Sequence, residues 1–166
     1  MQWPCPEGRA GGTERLFSDA RFATPSGRAR FHAVAPGAPA ESCSEAFPLL
    51  LVTGRVKDQW HTRTRTGKVA KLNRSEPAPF VEVHNDDARL LRLRDRQLVR
   101  VTSRRGSVDL RARLTTAIRP GTVFAPFHWG ALWDERTVAN RATSDAVDPR
   151  SKQPALKFAA VRLEPL

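Results

Sequence analysis

Short runs of strand type, with no long amphipathic helix between them, constrain this chain more than any other feature of its sequence. Residues 48–54 (PLLLVTG) form a short apolar run that stops at a glycine, the pattern of a buried strand. Residues 79–84 (PFVEVH) alternate apolar and polar, as a half-buried strand does. Residues 98–114 (LVRVTSRRGSVDLRARL) alternate on both sides of Arg105-Gly106 and predict a hairpin. Two further strands are expected at 122–127 (TVFAPF) and 155–163 (ALKFAAVRL). Between the second run and the hairpin, Asn85-Asp86-Asp87 offers capping side chains and early negative charge for a short helix over 88–93. Several short strands with one or two small helices predict a mainly β fold that closes into a barrel. A chain of 166 residues suits one such domain with a small extension.

The first 47 residues differ from the rest. Their five Arg are balanced by five acids, so the net charge of +11 lies in the remainder. Within them, GTERLFSDARFATPSGRARF predicts two short strands around a turn at Pro25-Ser26-Gly27, a small N-terminal β extension. AVAPGAPAESCSEA then reads as a Pro- and Ala-rich linker, which sets the boundary near Phe47 and gives segments 1–47 and 48–166.

Two long segments are neither strand nor helix in pattern. Residues 55–74 (RVKDQWHTRTRTGKVAKLNR) hold seven Lys or Arg and one acid, a charge of +6 in twenty residues. Trp60, His61 and interleaved Thr hydroxyls sit among the cations, a mixture suited to a ligand with phosphates and flat heterocycles. A solvated basic loop is the plainer alternative. Residues 128–154 carry Trp129, Trp133, His128 and Asn140 in a turn-rich setting, where the Trp rings also suit a seal over the barrel end.

The familiar catalytic patterns are absent. The four His show no metal spacing, and there is no P-loop, GxGxxG or GxSxG. Two Cys without a CxxC exclude a disulfide framework, a structural zinc site and an iron–sulfur cluster built by this chain alone. No apolar run reaches the ~20 residues of a membrane span, and the N-terminus lacks a signal-type stretch. A reducing, cytoplasmic setting is expected. No catalytic residue and no metal ligand is assigned.

The segment TGRVKDQWHTRTRTGK resembles the C-terminal dinucleotide-binding domain of molybdenum enzymes that carry two molybdopterin guanine dinucleotides. The likeness runs on through PFVEVHNDDARLLRL, SRRGSV, RPGTVFAPFHW and VDPRSKQPALKFAAVRL, in order, over 48–166. Within that superfamily DQWHT and RTGK look most like bacterial assimilatory nitrate reductases, and residues 1–32 look like the stretch that precedes the domain.

The resemblance implies a double-psi β-barrel. It implies that Thr53, Gly54, Arg55, Val56, Lys57, Asp58, Gln59, Trp60, His61 and Thr62 line the paired cofactors, with Asn140 and Lys157 as a second set of contacts. It implies molybdenum bis(molybdopterin guanine dinucleotide) as cofactor, with a 4Fe-4S cluster only in the remainder of the enzyme. That remainder is the expected partner, with no nucleic acid and no membrane, and this chain alone is expected to be inactive. Arg63 stands where these reductases more often show Met, and Asn85 where Pro is common. The same domain of a formate dehydrogenase, or a basic barrel that binds nucleic acid, are the alternatives.

Overall fold

Each apolar run becomes a strand in the computed structural model, which describes residues 3–5, 7–8 and 10–166. The strands are β1 (Leu49–Gly54), β2 (Phe80–His84), β3 (Leu98–Ser103), β4 (Ser107–Thr115), β5 (Thr122–Pro126) and β6 (Ala159–Pro165). Among the described residues, two short helices, α1 (Ala70–Asn73) and α2 (Asn85–Leu90), and three 3-10 turns complete the regular structure. No helix among the described residues is long and apolar enough to cross a membrane.

The strands close into one barrel in the order β1-β5-β2-β4-β3-β6. β1 pairs with β5 and β2 with β4 in parallel; the other four pairings are antiparallel. Exchanging β1–β3 for β4–β6 maps the set of pairings, with their senses, onto itself. This two-fold pattern of interlocked crossovers is the double-psi arrangement, and the fold is mainly β as expected. Closure leaves no free strand edge.

The alternation legible in the sequence builds the core. Leu49, Leu51, Val81, Val83, Val99, Val101, Val108, Leu110, Val123 and Val161 all point inward and are buried. Each such side chain contributes about 1.5–3 kcal/mol by leaving water. The strand senses also sort the connections. β1, β3 and β5 end at one mouth of the barrel, where β2, β4 and β6 begin, so segments 55–79, 104–106 and 127–158 all emerge there. The two odd segments of the sequence therefore share one end.

Some local expectations need correction. The helix lies at Asn85–Leu90 rather than 88–93, because the His84 imidazole, not Asn85, caps it by accepting from Asp86 N at 3.1 Å. β6 starts at Ala159 rather than Ala155, because residues 156 and 157 bond across to the end of β1. The basic segment contains a 3-10 turn at Thr66–Lys68 and α1.

The chain divides into two units, Met1–Gly37 and Ala38–Leu166. In the first, the expected β extension does not form: its described residues are turns, bends and irregular backbone. The turn itself is present, with Phe22 N donating to Gly27 O at 2.9 Å and Phe17 stacked on Phe22 at 4.6 Å. A lone hairpin is marginal in water, and these arms carry Arg where a buried face would need apolar residues.

Residues 38–47 group with the barrel. The Glu41 carboxylate accepts from both terminal nitrogens of Arg105 (2.8 and 2.9 Å), from Arg104 (3.3 Å) and from Ala160 N (2.6 Å). Arg105 Nε in turn donates to Thr143 O at 2.6 Å. The hairpin it sits on is pressed against the 139–141 turn: a Cβ on Gly106 would lie 2.8 Å from Arg141 O. Backbone cannot yield as a side chain tip does. Gly106→Ala is therefore expected to cost about 1–3 kcal/mol, read as a shift of the urea midpoint without a change in slope.

Candidate functional site

At the mouth of the barrel, the end of β1 is stitched to both ends of segment 127–158. Thr53 is buried and its hydroxyl donates to Leu156 O at 2.6 Å, while its carbonyl accepts from Lys157 Nζ at 2.8 Å. Lys157 Nζ also lies 5.0 Å from the centre of the Phe127 ring, and Phe127 N donates to Gly54 O at 3.1 Å. Gly54 lets the Phe124 ring close in, since a Cβ there would meet Phe124 Cε2 at 2.6 Å. An ammonium has three donors, so Lys157 keeps protons to offer an anion after bonding Thr53.

Beyond Gly54 the chain folds into a loop held from beneath by His128. Val56 N donates to His128 Nε2 at 3.0 Å, and His128 Nδ1 donates to His61 O at 2.6 Å. The imidazole is completely buried, and burial holds its pKa below the usual 6.5, with the Arg55 and Arg63 charges acting in the same direction. It is therefore neutral, with its proton on Nδ1.

The side chains singled out by sequence divide into two sets. Arg55, Lys57, Asp58, Trp60, His61 and Thr62 are exposed; the Arg55 guanidinium sits 5.1 Å over the Trp60 ring, and His61 packs edge-on against Trp60 at 4.4 Å. Asn140, in the 139–141 turn at the same mouth, is exposed too, and its side-chain amide makes no hydrogen bond among the described residues. Gln59 is turned the other way. Its Nε2 donates to Leu72 O and Asn73 Oδ1 (3.2 and 3.3 Å), and its Oε1 accepts from Arg63 Nε and Thr66 Oγ1 (3.2 and 2.9 Å). That amide is fully occupied within the loop.

Arg63 lies inside rather than over the mouth. It is 4% exposed, with its guanidinium 4.8 Å from the Trp129 ring centre and 4.4 Å from that of Trp133. Its partners are neutral, Gln59 Oε1 and Asn73 Oδ1, and desolvation lowers its pKa. Trp129 is buried, as a sealing ring should be; Trp133 is half exposed and donates Nε1–H to Thr62 O at 3.0 Å. His128 and Arg63 are the residues that sequence reasoning does not assign to the site. The only local sign of His128 is its position directly after a strand.

Charge is the distinctive property of this mouth. Elsewhere on the barrel Arg100 pairs with Asp109, Arg105 with Glu41, Arg113 with Glu76 and Arg89 with Asp86. Among the described residues, none of the seven cations in 55–74 forms an ion pair. Nor do any three His, Cys, Asp or Glu side chains gather as a metal site among the described residues. The donors at the mouth are exposed guanidinium and ammonium groups, one imidazole, one hydroxyl and one amide. They suit phosphates and the polar edges of heterocycles.

Comparison with known proteins agrees with that donor set. The family model of the molydopterin dinucleotide binding domain matches residues 49–160. Over its full length the chain is 42% identical to a nitrate reductase of Synechocystis and 38% identical to the assimilatory nitrate reductase catalytic subunit of Bacillus subtilis. It is 36% identical, over 99% of its length, to an F420-dependent formate dehydrogenase alpha subunit of Methanocaldococcus jannaschii. It spans about a quarter of each relative: 24%, 23% and 24%. Acetylene hydratase of Pelobacter acetylenicus shares the fold, with a TM-score of 0.61 and 20% identity over 71% of this chain and 18% of that one. The chain belongs to the molydopterin dinucleotide binding domain family.

Proposed function

We propose that this chain is the C-terminal, cofactor-holding part of a molybdenum-dependent nitrate reductase of the assimilatory, cytoplasmic type. Residues 1–47 are then the end of the preceding domain and a linker, and the remaining enzyme supplies the 4Fe-4S cluster and the opposite wall of the cleft. The observation that carries this reading is the unpaired charge of segment 55–74. Of the fourteen arginines elsewhere in residues 38–166, nine pair with a carboxylate, whereas none of the seven cations of this segment does. Nitrate is preferred to formate because the relatives of higher identity are nitrate reductases.

The cofactor, when bound, supplies two-electron oxygen-atom transfer. The residues of this chain bind and orient it. Arg55, Lys57 and Lys157 offer charge to pyrophosphate; His61, Thr62 and Asn140 offer hydrogen bonds to the edges of guanine and pterin; Gln59, Val56 and Thr53 keep the backbone in place. Gly54 and Asp58 shape the turn, and Trp60 presents a flat apolar face.

Guanosine diphosphate, a fragment of the cofactor, tests the reading. Binding is expected to be weak, to change little between low and moderate salt, and to fall roughly 3–10-fold in His61→Ala through one lost hydrogen bond. A nucleic-acid site would instead lose ~0.9 log units of affinity per log unit of salt for each duplex phosphate neutralised. Tight binding of mixed-sequence oligonucleotides with that slope, and none of guanosine diphosphate, would overturn the assignment.

A further inference from the structure

The loop over residues 56–61 returns on itself without a glycine. Asp58 (φ 68°), His61 (φ 42°) and the following Arg63 (φ 63°) all occupy the left-handed region, which side-chain-bearing residues enter only when their surroundings hold them there. Within the segment, the Gln59 amide braces the arc against Arg63, Thr66, Leu72 and Asn73. Trp60 N also donates to Thr66 Oγ1 and Arg63 N to Trp60 O, and all of these bonds stay within the segment itself. The bonds that fasten its two ends to the barrel are those of His128, to Val56 N and His61 O, 72 and 67 positions away. One ring therefore fixes both ends of a six-residue arc.

We propose that His128 is a positioning residue that staples the cofactor loop while its imidazole is neutral and releases the loop when the ring takes up a proton. The chemistry follows from the two bonds. Nε2 must be a lone-pair acceptor to receive Val56 N–H; protonated, it becomes a donor facing a donor, and that bond is lost. The bond from Nδ1 to His61 O survives protonation, so the arc opens at the Val56 end. The charged or titratable groups facing the ring are Arg55, Arg63 and the His61 side chain, all from the loop, while Phe127 and Trp129 flank it without charge. Among the described residues, no carboxylate faces it to welcome the proton. A lowered pKa places the release below the ordinary imidazole range rather than at neutrality. Binding at the mouth then becomes weaker in acid, although acid would by itself favour an anionic ligand there.

The inference rests on reading the loop as the cofactor contact, so its test has two arms. In the first, amide hydrogen exchange of Val56 and the ring nitrogen shifts of His128 are followed by NMR from about pH 8 to about pH 4, below the ordinary imidazole range. Val56 is expected to be protected at the alkaline end, and its protection factor to fall together with the ring titration. His128→Gln offers Val56 N–H an acceptor with no titrating proton, so its Val56 protection should stay flat. In the second arm, guanosine diphosphate affinity is measured for both proteins at each pH. Their ratio cancels the titration of the ligand phosphate, and wild type should lose roughly 3–10-fold relative to His128→Gln across the range. Val56 protection that ignores the ring titration, or a constant affinity ratio, would overturn the staple. Absence of guanosine diphosphate binding in both proteins at every pH would sink the cofactor reading, and the exchange profile alone would then decide whether the staple stands.

Discussion

Glu41→Ala is expected to cost the barrel about 2–3 kcal/mol at neutral pH, and the cost is expected to fade in acid. The Arg105 fork and the Ala160 N–H hold the Glu41 carboxyl at about 2, against an ordinary 4.5, in spite of its partial burial. At about 1.4 kcal/mol per unit that shift bounds the stabilisation near ~3.4 kcal/mol, and partial solvent access reduces it. The sign is that of a depressed carboxylate. Its contribution is complete above pH 4.5 and disappears as the pH falls through about 2. Urea titrations of the wild type and the variant should therefore differ most at neutral pH and converge near the acid end. Glu41→Gln keeps an acceptor for Ala160 N but not the charge, and should lose roughly half as much. A difference independent of pH would show that Glu41 acts by packing alone. The loss should also reach the mouth, because Arg105 freed from Glu41 no longer holds Thr143 O beside the turn that carries Asn140.

That latch also illustrates what the sequence reveals and what it hides. The inward alternation at Val99 and Val101, or at Val108 and Leu110, is written locally, so the strands are readable one by one. The ring order is not, since β1 beside β5 depends on crossovers that leave no local trace. Glu41 looks like linker because its partners lie 64 and 119 positions away. The basic segment announces itself by charge. Which of its residues face out is hidden, because Asp58, His61 and Arg63 enter the left-handed region without the glycine that normally signals it. The resemblance puts Gln59 among the residues lining the cofactors, and only the fold reveals that its amide bonds within the loop. The resemblance carries the architecture and the ligand class; the division of labour among the matching residues comes only from the fold.

Arg63→Ala is expected to be the most damaging single change in the loop, at about 2–4 kcal/mol, whereas Arg63→Met should cost under about 1 kcal/mol. Two effects compete at this guanidinium. Burying a charge without a carboxylate partner is unfavourable, and that desolvation lowers its pKa. Against it stand two indole faces at 4.4 and 4.8 Å and two hydrogen bonds to neutral oxygens. Desolvated cation–π contacts are worth about 2 kcal/mol, so attraction and penalty come close to cancelling. What remains is volume. Alanine leaves a gap between Trp129 and Trp133, while methionine fills most of it and keeps a polarisable contact with both rings. Neither substitution strands a polar atom, because Gln59 Oε1 still accepts from Thr66 Oγ1 and Asn73 Oδ1 from Gln59 Nε2. Lysine should fall between the two, since an ammonium cannot lie flat between indoles and is more strongly hydrated. Urea unfolding followed by tryptophan fluorescence reads the order directly, because two of the four Trp of the chain flank the site. If methionine proves as costly as alanine, the charge rather than the volume of Arg63 holds the mouth together, and its cation–π contacts and hydrogen bonds outweigh its desolvation.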